Sequence, residues 1–265
     1  MKLKIFLSAL LLSATTILTS CTTVADLTGN STQALNAQAS QVYVQTIEQA
    51  KEQGMLDTTS PTAQRVMRVF NNMKPYAEAA NKTGTPFNWE MHVIRTDDMN
   101  AWAMPGGKMA VYTGMVEKLN LTDGELAAVI GHEMTHALHE HAKKDRGQKV
   151  LTGLAAGAVG TVLSAYTKTD LSSITQLAAN IGVDKPFSRS QETDADMGGL
   201  YLMAQAGYNP EEAVNVWLKM NQAKGKQGLA VSILSTHPTN DNRIESIRNE
   251  LPKVMPVYQN SRIKH

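Results

Sequence analysis

The chain has 265 residues, 42% of them hydrophobic and 18% charged, the balance of a globular protein able to bury a core. Its formal net charge of +1 leaves no basic excess of the kind that marks nucleic-acid binding. Cys21 is the single cysteine, which excludes an intramolecular disulfide.

Residues 1–20 carry the pattern of a targeting leader: Lys2 and Lys4, then an apolar stretch from Ile5 to Leu18 broken only by Ser and Thr. Loss of that leader with its two lysines would turn the net charge from +1 to −1. Leu18-Thr19-Ser20-Cys21 matches the bacterial lipobox, so Cys21 is expected to be the acylated N-terminus of the mature chain, anchored in a lipid membrane. The alternative is a plain secretory leader with an incidental cysteine. By similarity to lipoproteins of diderm bacteria, Thr22 rather than Asp after the cysteine implies the outer membrane, facing the periplasm. Residues 21–38, rich in Thr, Ser, Asn and Ala, are expected to be a flexible tether, residues 39–255 the folded domain and 256–265 a tail.

Helical periodicity is expected at roughly 36–54 and 60–81, with Met67, Phe70 and Met73 as an apolar stripe. Trp89–Arg95, Asn100–Met104 and Lys108–Tyr112 read as strands, the last two joined by a turn at Pro105-Gly106-Gly107. A helix is expected over about 122–143, opened by Thr122 as cap. Val150–Tyr166 is uncharged and rich in Gly and Ala; it reads as a buried or membrane-facing hairpin helix, with a membrane span as the alternative. Further helices are expected at about 188–206, 210–223 and from His237-Pro238-Thr239 to about Glu250. The pattern is α+β: mainly helical, with a small sheet beside the 122–143 helix.

That helix carries His132-Glu133-Met134-Thr135-His136. Residues four apart share a helix face, so His132 and His136 can offer two imidazole nitrogens to one tetrahedral Zn²⁺, with Glu133 over the same site as general base. The third ligand has to come from elsewhere. His139 and Ala142 stand where a metzincin has Gly and His, and Ala137 breaks the inverted His-x-x-Glu-His order. A Glu on a later helix remains, and Glu192 in Ser188-Arg189-Ser190-Gln191-Glu192-Thr193-Asp194-Ala195-Asp196 fits; Asp196, one turn on, can take a hydrogen bond from a ligand histidine.

Four ordered blocks now stand together: Asn100–Gly107, Gly131–His136, Ser188-Arg189-x-x-Glu192-x-x-Ala195-Asp196, and His237-Pro238 followed by Arg243. They resemble the HtpX-like, CAAX-prenyl-endopeptidase-type gluzincin metallopeptidases over about residues 40–250, and most of all the small bacterial lipoproteins among them. The resemblance implies one zinc held by His132, His136 and Glu192, with Glu133 as base. It also implies that His237 and Arg243 approach the cleft, to stabilise an oxyanion or gate the site; a helix cap with a salt bridge is the alternative for that pair. It matches His141 to a histidine often found five residues past the motif, without giving it a role, and exposed or structural places are expected for both His139 and His141. The departure is at the ends, where neither a multi-span membrane domain nor a tetratricopeptide tail is expected. Lys108–Tyr112 reads either as an edge strand that pairs with extended substrate or as sheet interior. The expected function is a membrane-anchored zinc endopeptidase for unfolded or misassembled envelope proteins, with outer-membrane assembly factors as further partners. The alternatives are a non-proteolytic, chaperone-like lipoprotein, against which an intact Glu133 counts, and an aminopeptidase, for which no amine-binding group is found.

Overall fold

The computed structural model describes residues 21–155, 186–224, 231–238 and 241–262. Within them the order is α1 (Cys21–Leu27), α2 (Thr32–Glu52), β1 (Leu56–Asp57), α3 (Pro61–Ala80), β2 (Glu90–Ile94), β3 (Ala101–Met104), β4 (Lys108–Tyr112), α4 (Thr113–Lys118), α5 (Asp123–Leu138), α6 (His141–Ala155), α7 (Arg189–Gln205), α8 (Glu212–Ala223), α9 (Ile233–Thr236) and α10 (Asp241–Arg262). This is the α+β architecture expected: mostly helix, with one four-stranded sheet.

The helices that build the site begin at strong local signals. Thr122 and Glu125 form a reciprocal capping box ahead of α5, and Ser188 and Gln191 form another ahead of α7. Each box satisfies two of the backbone N–H groups that a helix start leaves free. The sheet runs β1-β2-β4-β3, with β2 parallel to β4 and β3 antiparallel to it. Gly106 and Gly107, at φ of 79° and 83°, make the turn between β3 and β4. Every residue of β4 is buried, including Lys108, whose Nζ pairs with Glu90 at 2.7 Å. β4 is therefore sheet interior, and β3 is the outer strand beside α5.

Helix α5 runs through the centre. It buries Leu126, Val129, Ile130 and Met134 against α3, α7, α8 and β3. Its closest neighbour is α7, and glycines set that distance. A Cβ on Gly131 would lie 2.9 Å from the Gly199 carbonyl, and one on Gly199 would lie 2.8 Å from the His132 backbone nitrogen.

Three expectations are corrected. Residues 21–38 form α1 and the start of α2, with a turn at 28–31 between them, where a tether was expected. Gly147 lets the start of α1 reach α6, since a Cβ there would lie 1.7 Å from the Cys21 carbonyl, and buried Lys143 pairs with Asp26 at 2.8 Å. The motif helix stops at Leu138, because Glu140 takes a left-handed conformation at φ 53° and α6 restarts in a new direction. Asparagine and glycine tolerate that region best, so a glutamate there gives no sequence signal. The last helix passes Pro252 and Pro256 to Arg262, held by buried Val254 and by Ser261 donating to the Ala204 carbonyl. Residues 1–20 and the apolar run beyond Ala155 lie outside the described residues. No helix among the described residues is long and apolar enough to cross a membrane.

The Gly131–Gly199 crossing yields a test. Gly199→Ala adds a methyl group where backbone already sits, so it is expected to lower stability by about 1–3 kcal/mol in denaturant unfolding. An unchanged midpoint would show that the crossing tolerates the added volume.

Candidate metal centre

His132 and His136 lie one turn apart on α5, with their Nε2 atoms 3.0 Å from each other. The first turn of α7 brings Glu192 against both: Oε2 lies 3.6 Å from His132 Nε2 and Oε1 lies 3.5 Å from His136 Nε2. Short α9 delivers His237, whose Nδ1 is 3.1 Å from His132 Nε2 and 3.0 Å from Glu192 Oε1. The main chain fixes α9, with Ile233 N–H donating to the Met99 carbonyl and Phe187 N–H donating to that of Thr236. Phe187 also stacks on the His136 ring at 4.0 Å. All four side chains are buried, and their ligand atoms lie within 4.8 Å of one another.

Glu133 faces the same space. Its Oε1 is buried without a hydrogen-bond partner, 3.4 Å from His237 Nε2, and the carboxylate takes a hydrogen bond from the backbone of Ala103 in β3. Burial raises its pKa above the usual glutamate value. An apolar hollow formed by Val129, Leu200, Trp217 and Met220 adjoins His132 and Glu133.

The walls behind the cluster are charged. Asp196 Oδ1 lies 3.0 Å from His132 Nδ1, and Arg243 grips Asp196 with two hydrogen bonds of 2.7 Å. Arg243 also reaches Glu192 Oε2 at 2.5 Å and lies on the Trp217 ring at 3.6 Å. Burial works against ionising Asp196, but Arg243 holds its pKa below the usual range. Burial likewise opposes ionised Glu192, yet the hydrogen bonds to His136 and His237 push it well down. Burial drives the His136 pKa far down, so its ring is neutral and offers a lone pair.

These residues fit a divalent ion. Two imidazole nitrogens and a carboxylate converge on one point, the carboxylate of Glu133 lies beside it with an unsatisfied oxygen, and the donor set is the nitrogen and oxygen mixture zinc accepts. The structure thus brings together His132, His136, Glu192, Glu133, Asp196, His237 and Arg243. Cys21 lies apart, half-buried, with its Sγ 3.2 Å from Gln148 Oε1. His141 and Asp194 were not singled out by sequence as parts of the centre. Buried His141 nevertheless lies against His136, with its Nε2 3.1 Å from Asp194.

The matched family model settles the relationship: peptidase family M48, over residues 60–251. The chain belongs to peptidase family M48. Within it, the chain is 34% identical over 212 residues to the mitochondrial metalloendopeptidase OMA1 of Schizosaccharomyces pombe, covering 80% of this chain and 59% of that protein. It is 29% identical over 268 residues to the metalloprotease LoiP of Escherichia coli, covering 95% of this chain and 98% of that one. It is 25% identical over 198 residues to the metalloprotease YcaL of the same organism, covering 74% and 75%. The chain thus spans a little under two thirds of the S. pombe relative's length. M48 peptidases depend on a metal, and the buried histidine–glutamate cluster is where this member could hold one.

Asp196 makes the geometry testable. Asp196→Asn keeps the shape but removes the charge facing His132 and Arg243, and is expected to weaken Zn²⁺ affinity roughly 10–100-fold in chelator competition. Wild-type affinity in that variant would separate Asp196 from metal binding.

Proposed function

We propose that this protein is a zinc endopeptidase of the bacterial envelope that cleaves unfolded or misassembled proteins. The observation that carries the reading is Glu133 Oε1, a buried carboxylate oxygen without a hydrogen-bond partner beside His132, His136 and Glu192. A protein that only held clients would have no use for it. The names of the relatives, metalloendopeptidase and metalloprotease, support the same chemistry.

His132, His136 and Glu192 would hold the ion. Zinc bound there supplies a Lewis acid that polarises the scissile carbonyl and acidifies water. Glu133 accepts the proton of the attacking water and returns it to the leaving amine; its raised pKa suits both halves of that task. The Ala103 backbone keeps the carboxylate aimed. His237, with Nδ1 among the ligand atoms and Nε2 toward Glu133, is placed to stabilise an oxyanion or to gate the site. The outer strand β3, not β4, is the one an extended substrate can pair with.

The lipobox and the lone cysteine support removal of residues 1–20, acylation of Cys21 and anchoring in the outer membrane, with assembly factors there as partners. Cys21→Ser is expected to move the protein from the membrane to the soluble periplasmic fraction. A soluble, unacylated wild type by mass spectrometry would end that part of the reading.

The test of the enzyme is Glu133→Gln. The variant is expected to bind one zinc, stay folded and cleave unfolded casein at least 10²–10⁴-fold more slowly. Internal fragments from the wild type would identify an endopeptidase. Equal turnover by both proteins, or no chelator-sensitive cleavage by either, would leave a holding role instead.

A further inference from the structure

The two ring nitrogens that point away from the centre are held from one helix by unequal routes. His132 Nδ1 meets Asp196 directly, at 3.0 Å. His136 Nδ1 instead faces His141 Nδ1 at 2.8 Å, and the far nitrogen of His141 lies 3.1 Å from Asp194 Oδ2. Asp194 and Asp196 stand two residues apart on α7, and the His141 ring is sealed from solvent. A continuous helix would not give this contact, because residues five apart point about 140° away from each other. The left-handed turn at Glu140 swings His141 back under His136.

Two ring nitrogens at this distance share one proton. A neutral histidine that offers Nε2 to a metal carries its proton on Nδ1, so His136 donates and His141 accepts. His141 then carries its own proton on Nε2 and donates to Asp194. We propose that His141 and Asp194 are positioning residues: Asp194 orients His141, and His141 fixes the tautomer and ring plane of His136. The proposal rests on the zinc-peptidase reading above. His139, whose Nδ1 lies 2.7 Å from the same Asp194 oxygen, steadies that carboxylate from the solvent side.

His139, His141 and Asp194 also lie close enough to hold an ion of their own. An ion on His141 Nε2 would place the His141 proton on Nδ1, facing His136, and His136 would lose the proton that keeps it a ligand. The relay and a second ion are therefore exclusive, and the relay is the one compatible with a metal on His136.

The test titrates metal-free, detergent-solubilised full-length protein with Zn²⁺ against a chromophoric chelator, for wild type, Asp194→Asn, His141→Asn and His141→Phe. His141→Phe is expected to lose roughly 10–100-fold in zinc affinity. His141→Asn, whose amide oxygen can accept where Nδ1 does, is expected to recover most of that loss, which a purely space-filling role would not allow. Asp194→Asn, one step further out, is expected to lose about 3–10-fold. Equal affinity in all four proteins, or an Asn variant as weak as the Phe variant, overturns the proposal. So does a second zinc equivalent in the wild type that disappears in Asp194→Asn. If His141→Phe does not fold, unchanged affinity in Asp194→Asn overturns it alone. A wild type that binds no zinc fails the peptidase reading as well, whereas one tight zinc with unaffected variants fails only the relay.

Discussion

Everything at the centre depends on how closely α5 and α7 approach. His132 and His136 come from one helix and Glu192 and Asp196 from the other, so the geometry of the centre is an interhelical distance before it is anything else. Glycine at 131 and 199 removes the side chains that would otherwise keep the backbones apart. With the helices in contact, Glu192 in the first turn of α7 reaches the level of His132 and His136, and Asp196 falls behind His132 one turn later.

That closeness concentrates charge. Glu133, Glu192 and Asp196 are all buried, and among the described residues Arg243 is the guanidinium set between the last two. Uncompensated buried charge costs several kcal/mol per ion, so three carboxylates beside one guanidinium favour further positive charge among them, and His237 between Glu133 and Glu192 has its pKa raised accordingly despite burial. A dication among the histidines would supply that charge. The field the fold creates would thus add to the pull of the ligand atoms on a cation, while Arg243 holds Asp196 ionised.

The sequence shows most of the centre because its parts are local: His132 and His136 share a turn, Glu192 and Asp196 share a turn, and strands and caps carry their own residue signals. What it hides is non-local or unsignalled. Nothing in the spacing of His136 and His141 predicts contact, since the contact depends on one glutamate in a conformation with no residue code. Likewise, β4 reads equally well as edge or interior until its partners on both sides are known. The helicity of residues 21–27 rests on Gly147 and Lys143, more than a hundred residues away.

The left-handed residue at 140 also bears on when the site comes into being. A side chain other than glycine there costs about 1–3 kcal/mol, and the cost is tolerable only where surrounding structure over-determines it. At Glu140 that structure includes Thr32 on α2, bonded to its carboxylate at 2.5 Å, and Lys143 on α6, 3.7 Å from it. An isolated α5 can display two histidines, but the support behind them draws on α2 as well as on the neighbouring α6. The second row of support behind the histidines therefore exists only where segments more than a hundred residues apart in the chain have come together.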